Sequence, residues 1–489
     1  MSSIYDKLIF DMSAEGNEGI SLPEVDVPQP DIRSIFPEDC LRARPPKMPS
    51  VSEPEVMRHF ISLSLKNHHV DRGIYPLGSC TMKYNPKINE DLARLPQFLH
   101  AHPFYPDELV QGTLGLLYQL SEMLCEISGM DAVTLQPAAG AQGEFSALLM
   151  IREYHRRDKR NPRKVILPDS AHGTNPASVT MAGYEVIQIA SNSAGRIDID
   201  TLAKHCNDDL AAFMLTNPNT LGLFESDIQK IAHLVHESGG ILYMDGANLN
   251  ALLGIARPGD MGFDVVHFNM HKTFSTPHGG GGPGAGALGV NSALEPFLPV
   301  PVVAKKQNRK GVDFFYLDYK RPATIGRVHG FYGNVGNLIR AYCYIRQNGA
   351  AGLSEISEAA IVNASYLREK LKQRYELPFD GGTMHEFVLS GTKQRAKGVR
   401  TSDIGKRILD FGVHAPTVYF PLIVSEALMI EPTETESRVS LDDFIEIMLN
   451  IADEVENDPE TVRSAPHTTS VFRLDEALAA RNPDVSYQG

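Results

Sequence analysis

The sequence has no tryptophan and only five cysteines in 489 residues. Cys40, Cys80, Cys125, Cys206 and Cys343 are odd in number and widely spaced, and no C-x-x-C occurs. That pattern argues against a disulfide framework and a cysteine zinc site, and fits a reducing compartment. Also missing is any run near the roughly 18 apolar residues that a spanning helix needs, so no membrane segment is expected. Positive charge is scarce: 46 Lys+Arg against 60 Asp+Glu leave a formal net charge of −14. Duplex binding rests on neutralising phosphates with a basic surface, so nucleic acid is not an expected partner. The N-terminal MSSIYDKLIFDMSAEG has no basic region ahead of a long apolar stretch and is not Arg-rich. It carries no export or organellar signal, and a cytoplasmic protein is the expectation.

What remains, 42% hydrophobic and 22% charged, is ordinary for a globular chain, and the length predicts two or three domains. Residues 1–70 are expected to form an arm. Pro23, Pro28, Pro30, Pro37, Pro45, Pro46, Pro49 and Pro54 each remove a backbone donor and favour extended geometry, ahead of an amphipathic helix over 55–67. Residues 107–128 place Val110, Leu114, Leu117, Leu120, Leu124 and Ile127 at helical spacing. Short apolar runs then alternate with helical stretches. Strands are predicted at 132–135, 164–167, 184–189, 211–215, 241–244, 264–268 and 286–290, with helices such as 143–157 and 225–238 between them. Seven such strands imply an α/β domain, here 71–335, built on a mostly parallel sheet covered on both faces. A helix over 332–348 should end it. The segment 336–489 is expected to be a smaller α+β domain, with helices at 353–373, 402–411 and 441–455, short strands near 385–389 and 417–424, and an extended tail from 464.

In parallel sheets ligands gather at the carboxyl ends of strands, and the polar motifs fall there. Lys272 follows a strand within Asn269-Met270-His271-Lys272 and precedes a glycine-rich stretch. An amine removed from water loses proton affinity, and a neutral amine is what condensation with an aldehyde requires. A surface lysine on a glycine loop is the competing reading. Asp245 ends the preceding strand. A buried carboxylate facing a pyridinium nitrogen keeps that nitrogen protonated, and Ala247, two positions on, is small enough to lie against the ring. The alternative is a structural Asp capping a helix. Ala139, Gly140, Ala141 and Gln142 open a helix directly after the first strand, where backbone N–H groups can meet a phosphate; the alternative is a tight strand–helix turn. His172 could stack on a cofactor ring or be a satisfied loop histidine. Thr216 and Asn217 could bond a phenolic oxygen or simply form an Asn-Pro turn. The GGGGPGAG stretch (279–286) is not a dinucleotide fingerprint, because it precedes a strand instead of opening a helix; a lid or phosphate-facing loop, possibly in a neighbouring subunit's site, is expected. His172, His271 and His278 lack ligand spacing, so no metal is expected.

The strings YPLGSCTMKYNPKINED (75–91), LQPAAGAQGE (135–144), PDSAHGTNPAS (168–178), LTNPNTLGLFE (215–225), MDGANLNALLG (244–254), HKTFSTPHGGGGPGAG (271–286) and MIEPTETES (429–437) together resemble the P-protein of the glycine cleavage system, in its lysine-bearing subunit 2 form. The resemblance implies a pyridoxal-phosphate-dependent transferase fold of the aspartate-aminotransferase type. It implies pyridoxal 5′-phosphate held covalently by Lys272, with His271 or Lys272 moving protons. The implied reaction is glycine decarboxylation with transfer of the aminomethyl group to the lipoyl arm of the H-protein. The implied partners are a homologous subunit 1 in a two-plus-two assembly, the lipoylated H-protein and glycine. A carrier channel lined partly by the arm and residues 75–86 is expected. Gln142, Tyr105 and His329-Gly330 stand where the family pattern usually has histidine, glutamine and Arg-Ala, which leaves Arg327 only a candidate for the substrate carboxylate. Two other readings stay open: a pyridoxal-phosphate enzyme of the same fold working without a lipoyl carrier, and a non-catalytic structural subunit.

Overall fold

The protein is described from a computed structural model, over residues 5, 7–17, 19–279 and 284–486. The chain divides into two compact units, Met1–His69 with Thr468–Gly489, and Val70–His467. In the first unit the Pro-rich stretch is largely irregular, as expected from its missing donors, and the helix Glu53–Leu65 follows. That helix begins at Ser52, whose N–H and Oγ both donate to Glu55 Oε2, at 2.7 and 2.8 Å. Asn17 Nδ2 donates to the same oxygen at 3.1 Å, tying the arm to the helix start. The tail, expected to be extended, contains a short helix, Glu476–Arg481, started by Asp475, whose side chain accepts from Leu478 N–H.

The second unit is built on a seven-stranded sheet: β1 (Ala132–Thr134), β2 (Lys164–Pro168), β3 (Glu185–Ile189), β4 (Leu210–Thr216), β5 (Ile241–Gly246), β6 (Val265–Asn269) and β7 (Gly286–Val290). Their order is β1-β7-β6-β5-β4-β2-β3, with β7 antiparallel to both neighbours and every other pair parallel. This is the mostly parallel α/β sheet that the alternation of strand and helix predicted. Side chains alternate between two apolar layers. Phe213 and Leu215 of β4 join one core with Leu114, Leu117, Met244 and Phe268. Ala212 and Met214 join another with Leu148, Ile151, Tyr243 and Val265. Burying side chains such as Phe213 and Phe268 stabilises the fold by about 1.5–3 kcal/mol each.

A hairpin of β8 (Val302–Gln307) and β9 (Asp313–Asp318) was not anticipated. Its alternation is blurred because both strands are part-exposed and β8 carries Lys305 and Lys306 in succession. The helix predicted over 332–348 and the one over 353–373 run together as Val335–Leu371, interrupted at Gly349, whose φ of 63° only glycine adopts without strain. A second sheet of β10 (Phe387–Ser390), β11 (Thr417–Val418) and β12 (Ala427–Ile430), in the order β10-β12-β11, packs in a core with Leu367, Ile404 and Phe444. β12 was missed because the four apolar residues ALMI are too short for a period to show.

Candidate active site

Cross-strand register assembles the site. Parallel pairing sets Asp245 of β5 between Thr216 of β4 and His267 of β6. Asp245 is two residues beyond Tyr243, and His267 two beyond Val265, so both side chains leave the sheet on the face covered by the helix Gly140–Arg157. Asn269 closes β6 on that same face. Lys272 follows in a single helical turn, Met270–Thr273.

A cavity of about 170 Å³ opens at these strand ends. Ala139, Gly140, Ala141, Glu144, His172, Thr174, Asp245, Ala247, His267, Asn269, His271 and Lys272 line it. Asp245 is 2% exposed. One carboxylate oxygen accepts from Ala247 N–H at 2.9 Å and lies 3.2 Å from His267 Nε2; the other accepts from Asn175 Nδ2 at 3.0 Å. Burial works to raise its pKa, but His267, the Asn175 bond, Lys272 and the Ala247 N–H outweigh it and hold Asp245 below the usual carboxylate range. His267 Nδ1 lies 2.6 Å from the Tyr243 hydroxyl, which fixes the ring. Glu144 accepts from Thr174 Oγ1 and Ser178 Oγ, both at 2.8 Å, while burial and the Asp245 charge push its pKa up.

Lys272 is half-buried, not buried, and its Nζ donates to the Ser79 carbonyl at 2.8 Å. His172 is pushed towards the neutral form by burial and packs edge-on against Phe420 at 5.7 Å. Burial, with the Lys272 charge adding, lowers His271 to about 4, so it is neutral at pH 7. The helix start at Ala139 has no side-chain cap, leaving its first N–H groups for another acceptor. Gly140 is indispensable there: a Cβ would stand 2.0 Å from Asn269 Oδ1. These features fit an anionic aromatic cofactor. Uncapped N–H groups face the cavity at one end, a buried carboxylate stands at another, and the buried Asn269 Oδ1 and His271 Nδ1 have no partner.

Not every predicted residue lines the cavity. The Gln142 side chain accepts from Ala138 N–H and donates to the Val328 carbonyl, both at 2.6 Å, bracing the loop behind the helix start. Thr216 Oγ1 and Asn217 Nδ2 are buried without partners behind it, while Asn217 Oδ1 accepts from Glu225 N–H at 2.9 Å. Arg327 is exposed, over the Tyr319 ring. Of the glycine-rich stretch, residues 280–283 lie outside the described residues; the Gly284 carbonyl accepts from Asn337 Nδ2 at 2.8 Å and also from Asn334 Nδ2. Sequence reasoning passed over Glu144, Asn175, His267 and Asn269. The available signal was a histidine and an asparagine two apart in an otherwise apolar strand.

The family model described as glycine dehydrogenase, C-terminal domain, matches residues 356–471, and that of aminotransferase class-V matches 142–302. The chain is 57% identical over 482 residues to a probable glycine dehydrogenase (decarboxylating) subunit 2 of Shouchella clausii, covering 98% of this chain and 97% of that protein. It is 56% identical over 485 residues to the protein of the same description from Caldanaerobacter subterraneus subsp. tengcongensis, covering 99% of each. Among solved structures, a glycine decarboxylase (P-protein) of the glycine cleavage system, in inhibitor-bound form, is similar with a TM-score of 0.74. It is 20% identical, over 86% of this chain and 94% of that one. A cysteine desulfurase from Thermococcus onnurineus NA1 is similar with a TM-score of 0.61 at 14% identity, over 78% and 95%. At these identities the solved structures speak to the fold.

Proposed function

The chain belongs to the glycine dehydrogenase (decarboxylating) subunit 2 family, and on that premise we propose that the cavity around Asp245 and Lys272 is where it decarboxylates glycine. It is a pyridoxal-phosphate enzyme of the glycine cleavage system, and the subunit 2 designation of its relatives implies a subunit 1. The proposal extends to a two-plus-two assembly and to the lipoyl arm of the H-protein as acceptor of the aminomethyl group. Cytoplasmic residence belongs to the same reading. All five cysteines are free thiols, and among the described residues no helix is long and apolar enough to cross a membrane. The segment 71–335 is proposed as the cofactor domain and 336–489 as the small domain.

When bound, pyridoxal phosphate supplies an electron sink for the pair left on the glycine α-carbon as CO2 departs. The residues supply the rest. Lys272 would hold the cofactor through its amine. Asp245, kept ionised by His267, Asn175 and Ala247 N–H, would supply the negative charge that holds a proton on the ring nitrogen. The uncapped N–H groups at Ala139–Ala141 would bind the phosphate, with the helix N-terminus favouring the anion. His172, neutral and braced by Phe420, offers a ring face without adding charge. His271, also neutral, can accept a proton beside Lys272. Displacement of water from the cavity by the bound groups would favour loss of a charged carboxylate as neutral CO2.

The observation that carries the reading is that Lys272, Asp245 and an uncapped helix start line one cavity. Borohydride reduction of the cofactor-loaded chain, followed by peptide mass mapping, tests it. A phosphopyridoxyl adduct is expected on the peptide containing Lys272; an adduct on any other lysine would refute the assignment.

A further inference from the structure

On the far side of Ser79 from Lys272 lies a second buried polar cluster that the chemistry above does not use. His385, Glu386 and Glu431 are fully shielded from solvent, and their ring-nitrogen and carboxylate atoms lie within 4.8 Å of one another. Glu386 precedes β10 and Glu431 follows β12, and the pairing of Phe387 with Ile430 sets them side by side. Two carboxylates buried together repel, and each has lost its water. Burial and the Glu431 charge push Glu386 well above the usual range, and burial pushes Glu431 up to about 7. His385 does not neutralise them. Neither of its ring nitrogens has a hydrogen-bond partner, though Nε2 lies 3.8 Å from Glu431 Oε1, and burial lowers it to about 3, so it is uncharged.

The segment 79–81 is the spacer between this pair and the cofactor site. Ser79 N–H donates to Glu386 Oε2 at 2.7 Å. Thr81 N–H and Oγ1 donate to the two oxygens of Glu431 at 2.9 and 2.5 Å. Ser79 and Thr81 both take left-handed backbone angles, φ 63° and 46°, which non-glycine residues keep only when their surroundings enforce them. The carbonyl of the same Ser79 accepts from Lys272 Nζ. One residue therefore has a buried acid on its N–H side and the cofactor-site amine on its C=O side. The charged and titratable groups facing the pair are Lys272, Lys83, Cys80 and His385. Lys83 already has its own carboxylate, Glu434, at 2.7 Å. The Glu386 oxygens accept from Ser79 and Asn248, and those of Glu431 from Thr81. Every carboxylate oxygen already accepts a donor and two lysines stand near, so the set is poorly suited to a metal ion.

We propose that Glu386 and Glu431 are positioning residues for Lys272: through the 79–81 segment they fix where its amine stands in the site. The inference rests on Lys272 being the cofactor lysine. It is tested on the full chain stripped of cofactor, by limited acetylation with acetic anhydride at one fixed pH, with the Lys272 labelling rate read by peptide mass against the exposed lysines. In Glu431→Gln, which gives up one of the two acceptor oxygens that hold Thr81, the loosened amine should label about fivefold faster. Glu431→Asp, which keeps both acceptor oxygens, should recover most of the change, whereas a merely structural role would leave Asp as disruptive as Gln. Glu386→Gln should act in the same direction and keeps the test open should the Glu431 variants fail to fold. An unchanged Lys272 labelling rate in a folded Gln variant would overturn the proposal. The labelling needs no cofactor, so a borohydride adduct on another lysine would sink the cofactor assignment without altering this result.

Discussion

In the proposed chemistry Asp245 has the most exacting task of any residue in the cavity. It must stay ionised while 2% exposed, and three donors make that tolerable: Asn175 Nδ2, Ala247 N–H and His267 Nε2. Asp245→Asn preserves shape and removes the charge, and its amide then meets donors at positions built for an acceptor. Glycine-dependent exchange should fall at least about 100-fold, about 2.7 kcal/mol in barrier height. The unmatched donors should also cost about 1–3 kcal/mol of stability. Exchange within twofold of the wild type would remove Asp245 from the mechanism. The residues legible in the sequence were those whose type is odd for its place: a lysine and an aspartate at strand ends, and small residues opening a helix. Glu144, His267 and Asn175 were not legible. A single polar residue in a buried element looks the same whether it orients a catalytic carboxylate or merely satisfies a neighbour, and only register and distance separate the two.

At the scale of elements, the site is a contact between the start of one helix and the end of one strand. Gly140 and Asn269 approach so closely that Gly140→Ala would place Cβ 2.0 Å from Asn269 Oδ1. The clash must tilt the helix start or displace Asn269. Because Asn269 ends β6 and leads into Lys272, cofactor affinity should weaken more than about tenfold. The apolar cores are distant from the clash, so the sheet should persist. Equilibrium dialysis with pyridoxal phosphate, alongside thermal melting, checks this; unchanged affinity would mean the helix start does not bind the phosphate. Most strands of the large sheet could be read because they are buried on both faces and punctuated by glycine, proline and polar loops; the edge strand β3 is part-exposed. The β8–β9 hairpin and β12 escaped for opposite reasons. The first is half-exposed and lysine-bearing, and the second is too short to show a period. The Glu386–Glu431 pair was hidden because it depends on pairing between strands about forty residues apart.

For the whole molecule, the long strings shared with the P-protein carried the function further than composition or periodicity did. Composition argued against nucleic acid and disulfide frameworks but named no substrate. The chain holds a cavity with an amine, a carboxylate and an uncapped helix start, and the subunit 2 designation of its relatives implies a partner subunit 1. The most direct test is glycine–bicarbonate carboxyl exchange by the purified chain with pyridoxal phosphate, lipoylated H-protein and the candidate subunit 1, with Lys272→Ala run in parallel. Exchange that requires every component and disappears in Lys272→Ala is the predicted result. Exchange that persists in Lys272→Ala would contradict the account at its centre.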